Sequence, residues 1–112
     1  MSTAYSSNQS LLRVLADIAK ERRRQDAKHG FIDLPDGTGS EYHVALAPLL
    51  KAACDVLARE GLVTWGDILV EEVFEALAEA SKAQLRDELI HVAAVCVKWV
   101  QWLDLRDAQA GK

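Results

Sequence analysis

The chain has 112 residues, half of them apolar and 27% charged. That is room for one domain with one core, and it excludes a disordered, collagen-like or low-complexity chain. Thirteen basic residues stand against seventeen acidic ones, a net charge of −4 with neutral histidines, so no nucleic-acid-binding surface is expected. No apolar run reaches the roughly 18 residues a membrane span needs, because Lys98 and Gln101 interrupt the longest one. Met1 to Gln9 is polar and lacks the apolar stretch of a signal peptide. Cys54 and Cys96 sit in apolar runs without metal-site spacing, so two packed thiols in a reducing cytoplasm are expected.

Ser10 can cap a first helix, in which Leu11, Leu12, Val14, Leu15, Ile18 and Ala19 recur at helical spacing until Gly30 stops the run. Residues 1–9 are expected to be loose. Phe31 to Tyr42 carries Pro35, Gly37 and Gly39 and reads as a loop. A second helix runs from about His43 to Glu60, with Pro48 near its first turn. Thr64-Trp65-Gly66-Asp67 is a start signal for a third helix reaching about Ala80. Ser81-Lys82-Ala83-Gln84 is a second such signal, opening a fourth helix that runs to about Leu105. No strand pattern is present. The expectation is a single all-α domain over 1–112, a four-helix bundle-like fold.

The fourth helix is apolar nearly all round. Leu85, Leu89, Val92, Cys96, Trp99 and Leu103 form one face, and Ile90, Ala94, Val97 and Val100 lie largely outside it. One helix of a small monomer is rarely so enclosed, so a second subunit is expected against it. Of the tryptophans, Trp65 is expected to close a bundle end, and Trp99 and Trp102 to fill the core or an interface.

The charge is uneven. Leu11 to Gly30 holds six basic and three acidic residues, whereas Glu60 to Glu88 holds eight acidic and two basic. The two elements either pair with each other or form two halves of a site for a metal and a polyanion. Glu71, Glu72, Glu75 and Glu79 share a helix flank, where like charges repel unless something offsets them. Apolar neighbours on both sides (Ile68, Leu69, Val70, Val73, Phe74, Leu77) keep that flank from being simply solvated. A divalent cation, which favours oxygen ligands, would offset the repulsion. On the fourth helix Glu88 and His91 begin a stripe that continues through Val95 to Lys98. The short connection around Ser81 would fold the two helices antiparallel, with the glutamates opposite that stripe. Taken alone, His91 reads as a hydrogen-bonded core histidine.

Glu71-Glu72-x-x-Glu75 followed by Glu88-x-x-His91 resembles the signature of the all-α nucleoside triphosphate pyrophosphohydrolases, the group that includes the MazG-like proteins. The resemblance covers about Thr64 to Leu103, and Arg24-Gln25-x-x-Lys28-x-Gly30 is similar to a first-helix end in that group. It implies an oligomeric MazG-like architecture, a dimer or tetramer. It also implies a house-cleaning reaction in which a nucleoside triphosphate and water give the monophosphate and pyrophosphate. Glu71, Glu72, Glu75 and Glu88 are the implied catalytic carboxylates, with Glu72, Glu75, Glu88 and His91 as metal ligands for Mg²⁺. The family has aspartate where this chain has His91, and imidazole suits Mn²⁺ or another transition metal better than Mg²⁺. Lys98, Lys28, Arg24 and Lys51 are the expected cations for the triphosphate, with Lys98 favoured by its place on the Glu88 stripe. Arg86 is a further candidate.

Two other readings compete. One is a MazG-like nucleotide-binding or interaction protein that is catalytically weak or inactive, because His91 removes a carboxylate. The other is a di-metal carboxylate bundle, in which Glu88-x-x-His91 and Glu72 or Glu75 pair across a symmetric dimer.

Overall fold

The computed structural model describes residues 6–111. It is all-α: α1 is Ser7–His29, α2 Glu41–Arg59, α3 Trp65–Ala78 and α4 Lys82–Ala110, with no strand among the described residues. The chain divides into two compact units. One joins the chain up to Leu34 with the chain from Val97 onward, and the other is Pro35–Cys96. α4 therefore contributes its last turns to the first unit and its first turns to the second. No helix is long and apolar enough to cross a membrane among the described residues.

In the unit built on α1, the helix starts earlier than the Ser10 cap suggested. Ser6 is the N-cap, its hydroxyl accepting from the Gln9 N–H at 3.1 Å. Ser10 lies one turn inside the helix, where its hydroxyl accepts from the Gln101 side-chain amide at 2.6 Å. The same amide donates to the Ser7 carbonyl at 3.0 Å, so α4 holds the first turn of α1. Ser7, Asn8 and Gln9 are thus helical rather than loose, while the rest of the expected loose segment, residues 1–5, lies outside the described residues. Gly30 ends the helix at φ +80°, a conformation glycine adopts without strain, and its N–H donates to the Asp26 carbonyl at 2.8 Å. Among the described residues, Val14 and Val97 are the buried core of this unit. Two of the basic residues of α1 find acidic partners on their own helix: Arg22 with Asp26 and Arg24 with Glu21, each at 2.7 Å.

The unit 35–96 contains the acidic helices. Ser40 caps α2, its hydroxyl accepting from the His43 N–H at 3.3 Å and meeting His43 Nδ1 at 2.7 Å. That cap sets the start at Glu41, which leaves Pro48 well inside α2 rather than near its first turn. A proline there removes one helical hydrogen bond, yet α2 continues to Arg59 because its inner face is packed on α3. α3 opens as the sequence predicts. Thr64 Oγ1 accepts from the Asp67 N–H at 3.1 Å and the Asp67 carboxylate accepts from the Thr64 N–H at 3.0 Å, a reciprocal capping box. The buried residues of this unit are Ala47, Cys54, Ala76 and Leu85. Small side chains at three of these positions let the helices approach closely.

Residues 79–81 connect α3 to α4. The Glu79 N–H donates to the Ala76 carbonyl at 3.1 Å, and the Glu79 carboxylate accepts from the Ser81 N–H at 3.1 Å. Ser81 Oγ then accepts from the Gln84 N–H at 3.5 Å and starts α4. The end of α3 is also braced from outside, where the Gly39 N–H donates to the Leu77 carbonyl at 2.8 Å. Gly39 sits at φ +81°, and a β-carbon there would lie 3.5 Å from that of Ala80. α4 runs five residues beyond the expected Leu105.

Candidate metal centre

α3 carries Glu71, Glu72 and Glu75, and α4 carries Glu88 and His91. Neighbouring helical residues point about 100° apart, so Glu71 and Glu72 must face different partners. Glu71 turns to α2. Its carboxylate lies 3.9 Å from Lys51 Nζ, and it accepts a hydrogen bond from the Cys54 thiol. That bond, burial and the Glu71 charge push the thiol up to about 11, so Cys54 stays protonated at neutral pH.

Glu72 turns the other way, to α4. Its Oε2 lies 4.0 Å from His91 Nδ1, and Glu88 Oε2 lies 3.5 Å from the same nitrogen. One ligand atom from each of Glu72, Glu88 and His91 falls within 4.8 Å of the other two. Glu72 Oε2 and Glu88 Oε2 are buried and make no hydrogen bond. Two buried carboxylate oxygens without a donor are costly, and the imidazole beside them is too far to relieve both. Burial first, then the charges of Glu71 and Glu88, hold the Glu72 carboxyl above the usual carboxylate range. Glu75 is raised in the same direction by burial and by Glu72, Glu88 and Glu71, which places it in the field of the cluster though outside the closely spaced trio.

These residues fit a divalent cation. Ligands about 2.1 Å from one ion can stand up to about 4.2 Å apart, so the two measured separations to His91 Nδ1 suit a shared ion. Two carboxylates and one imidazole form a mixed oxygen and nitrogen donor set of the kind Mn²⁺, Co²⁺ or Zn²⁺ accepts. His91 is 59% exposed, which corrects its reading as a core histidine and leaves its ring free to take a metal.

Of the sequence-predicted residues, the fold brings together Glu72, Glu88 and His91, with Glu75 nearby. It turns Glu71 and Lys51 toward each other on the α2 side. Arg24, Lys28 and Lys98 belong to the other unit, where Arg24 is paired with Glu21 and Lys28 is exposed. A cleft of about 370 Å³ opens beside the cluster, lined by Glu79, Gln84, Arg86, Asp87, Glu88, Ile90 and His91. Arg86 in that cleft ranked among the lesser candidates in the sequence. Its signal there was weak, because Arg86 and Glu88 lie two apart on the helix and do not share a face. The partnership of Cys54 with Glu71 had one sequence signal, the three-residue spacing that puts Cys54 on the flank of Lys51.

Comparison of the chain with protein-family models, with curated proteins and with solved structures gave no match.

Proposed function

We propose that this protein is a metal-dependent nucleoside triphosphate pyrophosphohydrolase, in which Glu72, Glu88 and His91 hold the metal. The observation that carries this reading is the pair of buried, donorless oxygens of Glu72 and Glu88 within 4.0 Å of the Nδ1 of an exposed imidazole. A chain that only needed a stable helical hairpin would gain nothing from two such groups; a cation would satisfy both. The metal, when bound, neutralises phosphate charge and lowers the pKa of a water.

The chain's own residues supply the rest of the chemistry. Glu75 has raised proton affinity and stands beside the trio, which suits it to take the proton of the attacking water. That water would add to the α-phosphorus. The bond from the α-phosphorus to the bridging oxygen would break, and pyrophosphate would leave with the electron pair. Glu71 keeps Lys51 and the Cys54 thiol on the α2 side, away from the trio.

The test is a panel of nucleoside triphosphates with Mg²⁺, Mn²⁺ or no metal, following monophosphate and pyrophosphate. The expected result is pyrophosphate release that requires metal and is better supported by Mn²⁺ than by Mg²⁺. Metal-dependent nucleotide binding without turnover would replace this reading with that of a nucleotide-binding protein. Release of inorganic phosphate alone would overturn the reaction.

The same reading includes assembly as a homo-oligomer. Leu89, Ile90, Val100 and Leu103 on α4 are 39–53% exposed in the single chain, and covering them would remove apolar surface from water. Sedimentation at micromolar concentration is expected to give a dimer or tetramer. A monomer there would remove assembly from the reading.

A further inference from the structure

One divalent cation would balance Glu72 and Glu88, but Glu71 and Glu75 add further negative charge nearby, so a polyphosphate would gain from a cation of the protein's own. Within the unit 35–96 the described cations are Lys51, Arg59, Lys82 and Arg86. Lys51 faces Glu71 on the α2 side. Arg59 ends α2, and Lys82 opens α4 outside the cleft beside the cluster. Arg86 alone among them lines that cleft together with Glu88 and His91, and no ion pair occupies it among the described residues.

The helix explains why Arg86 stays free so close to acids. Arg86 and Glu88 are two residues apart, so their side chains leave α4 in different directions and do not pair with each other. Arg86, Glu88 and His91 nonetheless all line the one cleft. Gln84 adds an amide to the same lining, in the first turn of α4, where the positive end of the helix dipole favours an anion. Glu79 and Asp87 also line the cleft. One oxygen of Glu79 accepts from the Ser81 N–H, and Glu79 and Asp87 both remain negative groups that an incoming anion must pass.

We infer that Arg86 is the phosphate-binding residue of this site, taking the triphosphate end of the substrate in the cleft beside Glu88 and His91, with Gln84 as a second donor. This inference rests on the metal-site reading above. A guanidinium suits the role because its fork can bond two oxygens of one phosphate, and a lysine would supply only a point charge.

Inorganic triphosphate, which carries no base or sugar, isolates this contact. Its binding is measured by calorimetry in the presence of Mn²⁺, with Mn²⁺ binding alone measured separately. Arg86→Ala is expected to weaken triphosphate binding about tenfold to a hundredfold while leaving Mn²⁺ affinity within about twofold. Arg86→Lys should recover part of the loss. Arg59→Ala, the same charge change at the end of α2, should alter triphosphate binding by less than about twofold. Equal binding by wild type and Arg86→Ala would overturn the inference and leave the metal site standing. So would equal losses from Arg86→Ala and Arg59→Ala, which would mark a general charge effect. If wild type binds neither Mn²⁺ nor triphosphate, the inference fails together with the reading beneath it.

Discussion

Glu72→Gln is expected to lower Mn²⁺ affinity by about two orders of magnitude or more, and metal-supported pyrophosphate release by at least as much. Changes to groups that merely support a metal's ligands cost about tenfold to a hundredfold, and a ligand should cost no less. The same variant should leave the melting temperature of the metal-free protein unchanged or higher. Burial and the charges of Glu71 and Glu88 hold the Glu72 carboxyl above its ordinary range. A carboxyl whose folded pKa is raised binds its proton more tightly folded than unfolded. Ionised Glu72 therefore weakens the metal-free fold at neutral pH, and a neutral amide relieves that. A structural role would give the opposite pattern, with a loss of stability and no change in the response to metal. Titration calorimetry and thermal unfolding, each with and without Mn²⁺, separate the two. Unchanged metal affinity in Glu72→Gln would remove Glu72 from the site.

His91→Asp should shift the metal preference toward Mg²⁺, raising Mg²⁺-supported turnover about tenfold and reducing any activity supported by Co²⁺ or Zn²⁺. The geometry favours the exchange. It is Nδ1 of His91 that stands 3.5 Å from Glu88 and 4.0 Å from Glu72. An aspartate Oδ1 lies the same number of bonds from the backbone as that nitrogen, so the substitution puts an oxygen where the nitrogen was. Hard Mg²⁺ gains from the oxygen, and the softer ions lose an imidazole. Because His91 is more than half exposed, the new carboxylate is not buried and the fold should tolerate it. Activity that neither His91→Asp nor His91→Ala alters, under both metals, would show that His91 takes no part.

The features most legible in the sequence depend on neighbours a few residues away. Thr64 and Asp67 spell out their own capping box, and the structure has both of its bonds. The meeting of Glu72 with Glu88 and His91 was legible as an alternative, because a short connection and the helical period leave few other arrangements. Which of Glu71 and Glu72 turns inward was not legible. That depends on where α2 lies, and no local signal places Lys51 and Cys54 beside Glu71. Ser10 looked like a cap because it precedes an apolar run, but Ser6 does the capping and Ser10 is claimed by Gln101, 91 residues away in the chain. Pro48 misled for a related reason, since helix propensity is local and the packing of α2 on α3 overrides it. The division of the chain at Leu34 and Val97 had no composition shift to announce it.

The helical turns on either side of the three-residue connection between α3 and α4 act as a timing element. Glu72 stands six positions before the end of α3 and Glu88 six positions after the start of α4, so the phase of the trio depends on keeping both counts. One residue added inside α4 ahead of Glu88 would turn Glu88 and His91 by about 100° about the helix axis and swing them out of step with Glu72. The carboxylates would all remain in the sequence, and a motif search would still find them. Glu79, Ser81 and Gly39, none of which belongs to the trio, hold that interval through their bonds to the connector and to the end of α3. The phase of the site is therefore inherited as a number of residues, and insertions between Glu72 and the end of α3 or between the start of α4 and Glu88 should be as damaging to the site as loss of a glutamate.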